Sequence, residues 1–480
     1  MSVCPTIRSR TLIGILVTTV TVVLCLWIEF THPANGDTAW FLYMAQQGLR
    51  GATLYRDLVD VNPPAIVWFG MPVVWVADLV DLPVTRLFSA VVVVLLLVSS
   101  VWWASMYRRL CRRPAGVLAA LSLAAVLLFS VANLTQRDTL VLLGLWPWVM
   151  TTALRTSGVK LSTAEQIAAG LAAAIAIAIK PPYLLVPVTL SLLPSQPRPW
   201  RDPAWQALAS VGVADVLAVL IWAPGYVPTV RVLAADYYRY HQLGIVGQLL
   251  RSIGVVVLAA LALLLGAAVR LRSRAVWTAW LASVVMLAAM LTQGKGFPYQ
   301  AVPACIGAAL TAILALGLST SGLPRAWSIG ALMILVFSPL GLPVLRVLVH
   351  PADYELRQAA LRRVIEREAP TGTVLIVSPA MFDIWPLILD LGRPWPLAIP
   401  SAWLGPTAEA WPWFVGQVRR AVQGRPVLIF ARRGTAGSGL AARPGGQLGW
   451  MRADPILGPA LATYDTLPDA GPYAVLRRPR

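Results

Sequence analysis

The sequence has little charge for its length. Only 12% of its 480 residues are Asp, Glu, Lys or Arg, and 58% are hydrophobic. Soluble globular proteins carry about 25% charged residues, so this composition argues against a soluble protein and indicates a polytopic membrane protein. Lysine is the scarcest charged residue, because only Lys160, Lys180 and Lys295 occur among the 39 basic residues. Each lysine is therefore informative.

Residues that build metal and disulfide sites are scarce as well. The four cysteines form no CxxC pair and lie in or beside apolar segments: Cys4, Cys25, Cys111 and Cys305. This pattern excludes a disulfide or zinc framework, and the three histidines are too dispersed for a metal cluster. The sequence also lacks GxGxxG, P-loop, GxSxG, HExxH and kinase motifs, so no familiar soluble active site is present.

Acidic residues are outnumbered by basic ones, and the net charge is +18. The positive-inside rule and contact with the anionic headgroups of a lipid bilayer account for this excess. Nucleic-acid binding is not indicated, because no soluble segment combines a basic run with interleaved aromatic residues.

Apolar runs near 20 residues long predict about eleven transmembrane helices. The predicted spans are 11–30, 84–106, 114–132, 138–154, 164–179, 182–194, 204–222, 247–268, 275–292, 298–317 and 326–346. The first run follows basic residues as a signal peptide would, but no clear cleavage site follows it, which favours a retained anchor. The runs 164–179 and 182–194 are short and predict a broken helix pair that turns back near the outer surface.

The apolar segment 63–80 allows two topologies. If it crosses the membrane, the basic cluster Arg108–Arg113 lies outside. If it is a juxtamembrane helix or a shallow re-entrant segment, that cluster and the other basic loops fall inside, as the positive-inside rule requires. The second topology is favoured. It predicts a multi-pass protein of the cell (inner) membrane with a cytoplasmic N-terminus and an amphipathic, acidic outer loop at 31–83.

Beyond residue 346 the composition changes to that of a small α/β domain. Helical spacing over 353–368 is followed by β-rich runs at 373–379, 426–430 and 473–476, with a helix-like segment near 408–423. The sequence therefore predicts a transmembrane domain at 1–346 and an extracytoplasmic α/β domain at 347–480.

Asp37 is the first candidate for chemistry, because it follows the outer end of the first span. An aspartate in Asn35-Gly36-Asp37 is typical of a helix cap. Alternatively, its carboxylate lies beside a cavity at the membrane surface and orients or deprotonates an acceptor hydroxyl or amine. Residue type alone favours the cap.

Asp57 and Asp60 follow in the same loop, flanked by Tyr55 and Arg56 and followed by Asn62. Two carboxylates three residues apart share a face if the segment is helical, where they hold a divalent ion or an acceptor. The alternative is a solvated loop with an Asx turn before the proline pair. No cofactor is certain from the sequence, and a divalent cation stays open.

Arg137 and Asp138 lie in a very short outer loop between two apolar spans, where unpaired charge is costly. The two side chains pair with each other, or Asp138 caps the next span. In the functional alternative, Asp138 is a second acidic residue of the site and Arg137 faces a phosphate, which its planar donor fork suits.

Lys180 and Lys295 occur in IAIKPPYLLVP and QGKGFPYQAVP, at outer helix ends. Each is followed by proline and tyrosine, the second tyrosine being Tyr299. Cations at headgroup depth stabilise the leaving phosphate of a lipid-linked donor. Snorkelling of the side chain to the interface is the alternative. It explains one such lysine well, but it explains less well why two of the three lysines in the chain lie at outer helix ends.

Four stretches together resemble a known superfamily. They are GDTAWFLYMAQQGLRGATLYRDLVDVNPPAIVWF, TRLFSA at the start of the next span, QRDTLVLL, and IKPPYLLVP. This pattern is similar to the GT-C superfamily of membrane glycosyltransferases. It is closest to the branch that contains the bacterial aminoarabinose transferase of lipid A and the protein O-mannosyltransferases. The resemblance covers roughly residues 11–310.

The resemblance implies a site and a reaction. In that superfamily an acid near the catalytic centre lies in the first outer loop, which matches Asp37, and a second acid matches Asp138. Donors are polyprenyl-phosphate sugars used on the outer face. The aminoarabinose-transferase branch has a lysine before its proline pair where this sequence has Asn62. Lys180, Lys295 or Arg56 would then supply that contact with the donor phosphate.

The expected function is thus transfer of a sugar from a polyprenyl phosphate to a periplasmic or cell-surface acceptor, with Arg137 also binding the donor phosphate. The acceptor, which is a glycan, a lipid or a protein, does not follow from the resemblance. Two other classes stay open: a transporter or flippase for lipid-linked saccharides, and a non-catalytic partner in cell-envelope assembly. A transporter predicts inverted repeats and charges near the midplane, and the sequence shows no repeat.

Overall fold

The computed structural model describes residues 5–111, 114–131, 133–194, 196–320, 322–339, 353–401, 411–433 and 446–479. The chain divides into two compact units. Unit 1 comprises Met1–His32, Phe88–Ala218 and Leu243–Val349, and unit 2 comprises Pro33–Leu87, Val219–Gln242 and His350–Arg480. Each unit is thus assembled from three separate stretches of sequence.

The chain up to residue 339 is built from α-helices. In chain order they are α1 Pro5–Thr31, α2 Gly36–Leu49, α3 Ala65–Val80, α4 Val84–Leu110, α5 Ala115–Phe129, α6 Arg137–Thr156, α7 Thr163–Ile179, α8 Leu185–Ser191, α9 Pro203–Trp222, α10 Tyr226–His241, α11 Ile245–Arg251, α12 Gly254–Leu271, α13 Arg274–Leu291, α14 Val302–Leu318 and α15 Leu323–Val336. Short 3₁₀ turns at Pro181–Leu184 and Pro298–Ala301 precede α8 and α14.

Within the described ranges, five helical segments are long and apolar enough to cross a membrane: α4, α9, α12, α13 and Pro298–Leu318. Shorter apolar helices, among them α5, α7 and α15, accompany them. The chain is therefore a polytopic membrane protein, as the composition predicts. The number of eleven spans stays a prediction. The end of the last predicted span, 340–346, lies outside the described residues, and α8 is shorter than its predicted span.

The helices of unit 1 bring basic residues together at one end. Arg109, near the end of α4, pairs with Glu165 in the first turn of α7 at 2.6 Å. Arg155, near the end of α6, binds both carboxylate oxygens of Asp202, which precedes α9, at 2.7 and 2.8 Å. Arg274 begins α13, and its guanidinium lies 3.5 Å from the carbonyl oxygen of the last residue of α6. We call this the basic end of unit 1.

The start of α6 lies at the opposite end of the same bundle. Asp138 and Thr156 are 18 residues apart on one helix, which corresponds to about 27 Å at 1.5 Å per residue. The hydrocarbon core of a bilayer is about 30 Å thick. The basic end and the Asp138 end of unit 1 are therefore separated by nearly the thickness of a membrane.

Unit 2 contains the predicted outer loop. Its helices α2 and α3 pack closely at Gly70, where an added Cβ would lie 3.3 Å from the Leu42 side chain and 3.5 Å from Ala45. Helix α3 covers most of the ambiguous segment 63–80, and its last turns expose Trp75 and Leu79. The structure therefore forms a helix here, and its orientation in the membrane stays a prediction.

The C-terminal part of unit 2 contains a four-stranded sheet with the order β1-β2-β4-β3. The strands are β1 Val374–Val377, β2 Leu428–Arg432, β3 Asp465–Ala470 and β4 Tyr473–Arg477. β1 and β2 are parallel, and the other two pairs are antiparallel. Helices α16 Asp353–Glu368, α17 Leu387–Asp390, α18 Trp411–Gln423, α19 Gly446–Ala453 and α20 Leu457–Leu461 accompany the sheet.

The three β-rich runs of the sequence contain β1, β2 and β4. These strands are predictable because they are short, apolar and buried throughout or nearly so. β3 reads DTLPDA and is largely exposed, so it lacks the apolar pattern of a strand. The placement of this region outside the membrane and its boundary at 346/347 stay predictions.

Candidate active site

Asp138 and Lys180 form a buried ion pair in unit 1. The Lys180 Nζ donates to Oδ1 and Oδ2 of Asp138 at 2.6 and 2.7 Å, and Asp138 is fully buried. Asp138 lies in the first turn of α6, and Lys180 is the C-cap of α7. Helices α6 and α7 approach closely at Gly144, where an added Cβ would collide with the carbonyl oxygen of Ala172 on α7. This close packing brings the start of α6 beside the end of α7.

Two tyrosines and a glutamine surround the ion pair. The hydroxyl of Tyr183 lies 3.4 Å from Asp138 Oδ1 and 3.4 Å from the carbonyl oxygen of Gln300. The Nζ of Lys180 is 6.0 Å from the ring centroid of Tyr183 and 5.8 Å from that of Tyr299, distances at which a ring attracts a cation. We call Asp138, Lys180, Tyr183, Tyr299 and Gln300 the Asp138 cluster.

Lys295 lies in the glycine-rich loop that leads to Tyr299, and it is buried. Gly294 and Gly296 on either side have φ angles of +73° and +64°, which glycine adopts without strain. A Cβ at Gly296 would also lie 2.8 Å from the Cα of Gln248. The backbone N–H of Leu243 donates to the carbonyl oxygen of Gly294 at 2.8 Å. The loop is therefore held firmly, and Lys295 belongs to the same end of unit 1 as Lys180.

Arg137 immediately precedes Asp138 and is also buried. The partner of the Asp138 carboxylate is Lys180, which differs from the sequence-based alternatives of pairing with Arg137 or capping α6. The sequence places acids and cations at the same helix ends, but only the packing of α6 on α7 selects which of them pair.

Asp37 belongs to unit 2 and lies half-buried in the first turn of α2. The cap of this helix is Asn35, whose Oδ1 accepts the backbone N–H of Asp37 at 2.9 Å. The cap of α2 is therefore Asn35 rather than Asp37. An acidic residue in the first turn is also favoured by the helix dipole.

The C-terminal part of unit 2 packs against α2. A Cβ at Gly36 would lie 3.0 Å from the Phe382 ring, one residue before Asp37. The rings of Trp40 and Tyr43 each have centroids 5.1 Å from that of Trp385. The backbone N–H of Trp395 donates to the Tyr43 hydroxyl at 2.8 Å. Chain segments more than 300 residues apart therefore position the helix that carries Asp37.

The remaining candidates of the outer loop mainly bind one another. Arg56 is exposed and pairs with Asp57 at 3.0 Å. The Arg56 guanidinium and then the backbone N–H of Thr53 hold the pKa of Asp57 below its usual range. Oδ1 of Asp60 accepts the backbone N–H of Asn62 at 2.8 Å. This is the Asx turn that the sequence offered as an alternative.

Tyr55 is buried and fixes this loop within unit 2. Its hydroxyl donates to the carbonyl oxygen of Asn62 at 2.5 Å, and its ring lies 4.9 Å from that of Tyr226, edge to face. The Thr229 hydroxyl donates to the carbonyl oxygen of Tyr55 at 3.2 Å. These contacts give Tyr55 a packing role. A role of Tyr55, Asn62, Asp57 or Asp60 in acceptor or metal binding stays a prediction.

Across the described ranges, no group of three or more His, Cys, Asp or Glu side chains comes together as a metal site. Asp57 and Asp60 therefore have no third ligand of these types among the described residues.

Sequence reasoning noted the tyrosine after each lysine and the asparagine before Asp37, but it gave no role to Tyr183, Gln300 or Asn35. A signal for the first two was present, because KPPY and KGFPYQ share a lysine, a proline and a tyrosine in the same order. The lysines were selected for their rarity, and Tyr299 was selected only beside Lys295, because tyrosines and glutamines at helix ends are common.

Comparisons with known proteins identify the fold. No protein-family model matches the chain, and no curated protein matches it. A solved structure of ArnT from Cupriavidus metallidurans bound to undecaprenyl phosphate is similar, with a TM-score of 0.60 and 12% sequence identity. The similarity covers 98% of this chain and 98% of that chain. ArnT is a GT-C glycosyltransferase, so the predicted resemblance is confirmed at the level of the fold.

Proposed function

We propose that the protein is an integral membrane glycosyltransferase that moves a sugar from a polyprenyl-phosphate donor to a cell-envelope acceptor. The observation that carries this proposal is the fold shared with ArnT over nearly the whole chain, since the ArnT structure is bound to undecaprenyl phosphate. The Asp138 cluster supports it, because it presents a buried cation at one end of the helical bundle. Transfer takes place at the outer membrane surface.

In this reaction the acceptor hydroxyl or amine attacks the anomeric carbon of the sugar. The bond from that carbon to the phosphate oxygen breaks, the polyprenyl phosphate leaves with the electron pair, and the configuration inverts. Asp37 orients the acceptor and takes its proton. Negative charge grows on the departing phosphate, and fixed cations in a site of low dielectric constant stabilise this charge most effectively.

Lys180, Lys295 and Arg137 supply those cations. The Lys180 ammonium has three N–H donors, and contact with Asp138 fixes its position at the end of α7. Asp138 assists by holding Lys180, because both of its carboxylate oxygens accept hydrogen bonds from the Lys180 ammonium. Arg56 is exposed and occupied by Asp57, so the proposal assigns it no phosphate contact.

The test uses the lipid-linked sugars of a strain from which the gene is deleted. The strain accumulates a polyprenyl-phosphate sugar, and the unmodified gene restores its consumption. Asp37→Asn leaves the lipid accumulated, because the amide cannot accept the acceptor proton. Asp78→Asn is the matched control, since Asp78 is an exposed acid of unit 2 on α3, and it restores consumption fully.

Full consumption by Asp37→Asn at normal protein level would end the assignment of Asp37. A flippase would move the donor across the membrane with its sugar still attached. Finding that the gene changes only the leaflet of the lipid-linked sugar, with no sugar on an acceptor, would replace the transferase proposal with transport.

A further inference from the structure

A large apolar cavity opens at the basic end of unit 1. Its volume is about 560 Å³. It is lined by residues from the end of α6, from the first half of α13 and from the chain after α8: Thr156, Leu193, Pro194, Arg274, Trp277, Thr278, Trp280 and Leu281. Ligand sites in proteins occupy about 300–1,000 Å³. The cavity lies at the end of α6 away from Asp138, so it is separate from the proposed active site.

One face of α13 forms a wall of this cavity. Arg274, Trp277, Thr278 and Leu281 have the spacing i, i+3, i+4 and i+7, which places them on one helical face. The rings of Trp277 and Trp280 pack edge to face, with centroids 5.4 Å apart. The wall thus changes from a cationic group at the helix start to apolar groups one turn deeper. Tryptophan and arginine in this order are typical of the membrane interface.

Arg274 differs from Arg109 and Arg155, the other two arginines that define the basic end. Arg109 and Arg155 are neutralised by Glu165 and Asp202. In the part of the chain that the structure describes, Arg274 forms no salt bridge with a carboxylate. Its Nη1 donates a hydrogen bond to the carbonyl oxygen of Thr156 at 3.5 Å. Most of the five N–H donors of its guanidinium are therefore available at the mouth of the cavity.

We propose that this cavity binds one anionic glycerophospholipid from the leaflet at the basic end, which the positive-inside rule identifies as cytoplasmic. The lipid phosphate accepts hydrogen bonds from Arg274, and an acyl chain fills the space between Trp277 and Leu281. The net negative charge of an anionic lipid complements the guanidinium, and its acyl chains are attached directly to the charged headgroup, which a free phosphate lacks. This proposal does not depend on the proposed glycosyltransferase activity.

The test is native mass spectrometry of the purified full-length protein with added phosphatidylglycerol or phosphatidylcholine of identical acyl chains. The unmodified protein retains phosphatidylglycerol about fivefold better than phosphatidylcholine, because one arginine favours an anionic lipid by roughly this factor. Arg274→Gln reduces the preference to about twofold or less. Arg325→Gln is the matched control, since Arg325 is an exposed arginine in the first turn of α15 outside the cavity lining, and it keeps the preference.

A second variant fills the cavity without changing charge. Leu281→Trp reduces retention of both lipids several-fold while its melting temperature stays near that of the unmodified protein. Equal retention of the two lipids by the unmodified protein would overturn the proposal. So would unchanged preference in Arg274→Gln, or a complex of two protein copies that excludes lipid.

Discussion

At the scale of single residues, the Asp138–Lys180 pair is costly to bury and costly to break. Removing two charges from water carries a desolvation penalty of several kcal/mol per ion, which their mutual attraction must offset. Apolar residues of similar volume often give equal or greater stability. A buried pair is therefore weak evidence for a stabilising role.

We predict that Asp138→Asn and Lys180→Gln each lower the free energy of unfolding by about 3 kcal/mol, because each leaves one buried charge without its partner. The double variant Asp138→Leu/Lys180→Met recovers most of this loss and yet transfers no sugar. Denaturation of the purified protein in detergent measures stability, and consumption of the lipid-linked sugar measures transfer. Transfer by the double variant would contradict the phosphate-binding role of Lys180, whatever its stability.

Gly296 offers a second test at this scale, because two separate constraints apply to it. Its φ of +64° disfavours any side chain, and a Cβ would approach the Cα of Gln248. Gly158 has a φ of +79° with no atom within 4 Å of an added Cβ. We predict that Gly158→Ala costs about 1 kcal/mol from backbone strain alone.

Gly296→Ala should cost at least 1 kcal/mol more than this control, and it should also weaken donor binding by displacing Lys295. Melting temperatures of the two purified variants give the comparison, and a titration with a polyprenyl phosphate follows the binding. Equal losses of stability in the two variants would mean that the loop at Gly296 shifts without disturbing its neighbours.

At the scale of elements, a buried cluster of polar side chains lies at the carboxyl ends of β1 and β2. Asp383 accepts a hydrogen bond from Arg357 Nε at 2.8 Å and another from the Tyr473 hydroxyl. Ser378, directly after β1, lies 2.8 Å from the same hydroxyl. Tyr473 begins β4, so this group joins the sheet to α16 and to the 3₁₀ turn Met381–Asp383.

This arrangement predicts a loss of stability at high pH. Burial, followed by the neighbouring Asp383 carboxylate, raises the pKa of Tyr473 well above its ordinary value. A phenol whose pKa is higher in the folded than in the unfolded state stabilises the fold below the unfolded pKa, about 10. This contribution falls as the pH rises above 10, by up to about 1.4 kcal/mol per pH unit for one proton.

The measurement is pulse proteolysis in urea at pH values from 8 to 11, with detection of a C-terminal epitope tag. We expect the urea midpoint to fall more steeply above pH 10 in the unmodified protein than in Tyr473→Phe, which cannot ionise. Burial also raises the pKa of Tyr464, so Tyr464→Phe serves as a comparison. Parallel curves for the unmodified protein and Tyr473→Phe would show that another group titrates.

The elements show where sequence reasoning succeeds and where it stops. Apolar length placed the long helices, and β-rich runs located β1, β2 and β4, since both signals are local. Between the predicted spans 204–222 and 247–268, Tyr226–His241 is helical, and the polar residues of this helix give no span signal. Lys180 was found by its rarity, whereas its pairing with Asp138 depends on how α6 packs on α7. No local pattern contains that information.

At the scale of the whole molecule, unit 2 joins stretches that are remote in sequence. The predicted acidic loop, the helix α10 and the C-terminal sheet region form one compact unit. Sequence analysis did not predict the contact between α2 and Trp385, because the sequence around a tryptophan does not identify its packing partner. If Asp37 is catalytic, this arrangement gives the C-terminal region a positioning role in addition to any contact with an acceptor.

The positioning role leads to a prediction about Trp385. This residue is fully buried against Trp40, Tyr43 and Trp395, and its indole N–H donates to the carbonyl oxygen of Pro400 at 2.9 Å. Trp385→Ala removes these contacts and leaves a cavity, which typically costs about 3–5 kcal/mol. Because α2 packs against this side chain, the backbone amides of residues 36–49 should exchange hydrogen at least tenfold faster in the variant.

Hydrogen exchange followed by mass spectrometry measures this effect peptide by peptide. Trp75→Ala serves as the control, since Trp75 is largely exposed on α3 of the same unit and its loss should leave exchange of α2 unchanged. Peptides of α14 in unit 1 report whether a variant has unfolded altogether. If Trp385→Ala accelerates exchange only within 353–401 and spares 36–49, the C-terminal region does not hold the Asp37 helix. Asp37 must then be positioned by its own loop, through Asn35 and the contacts of Tyr55.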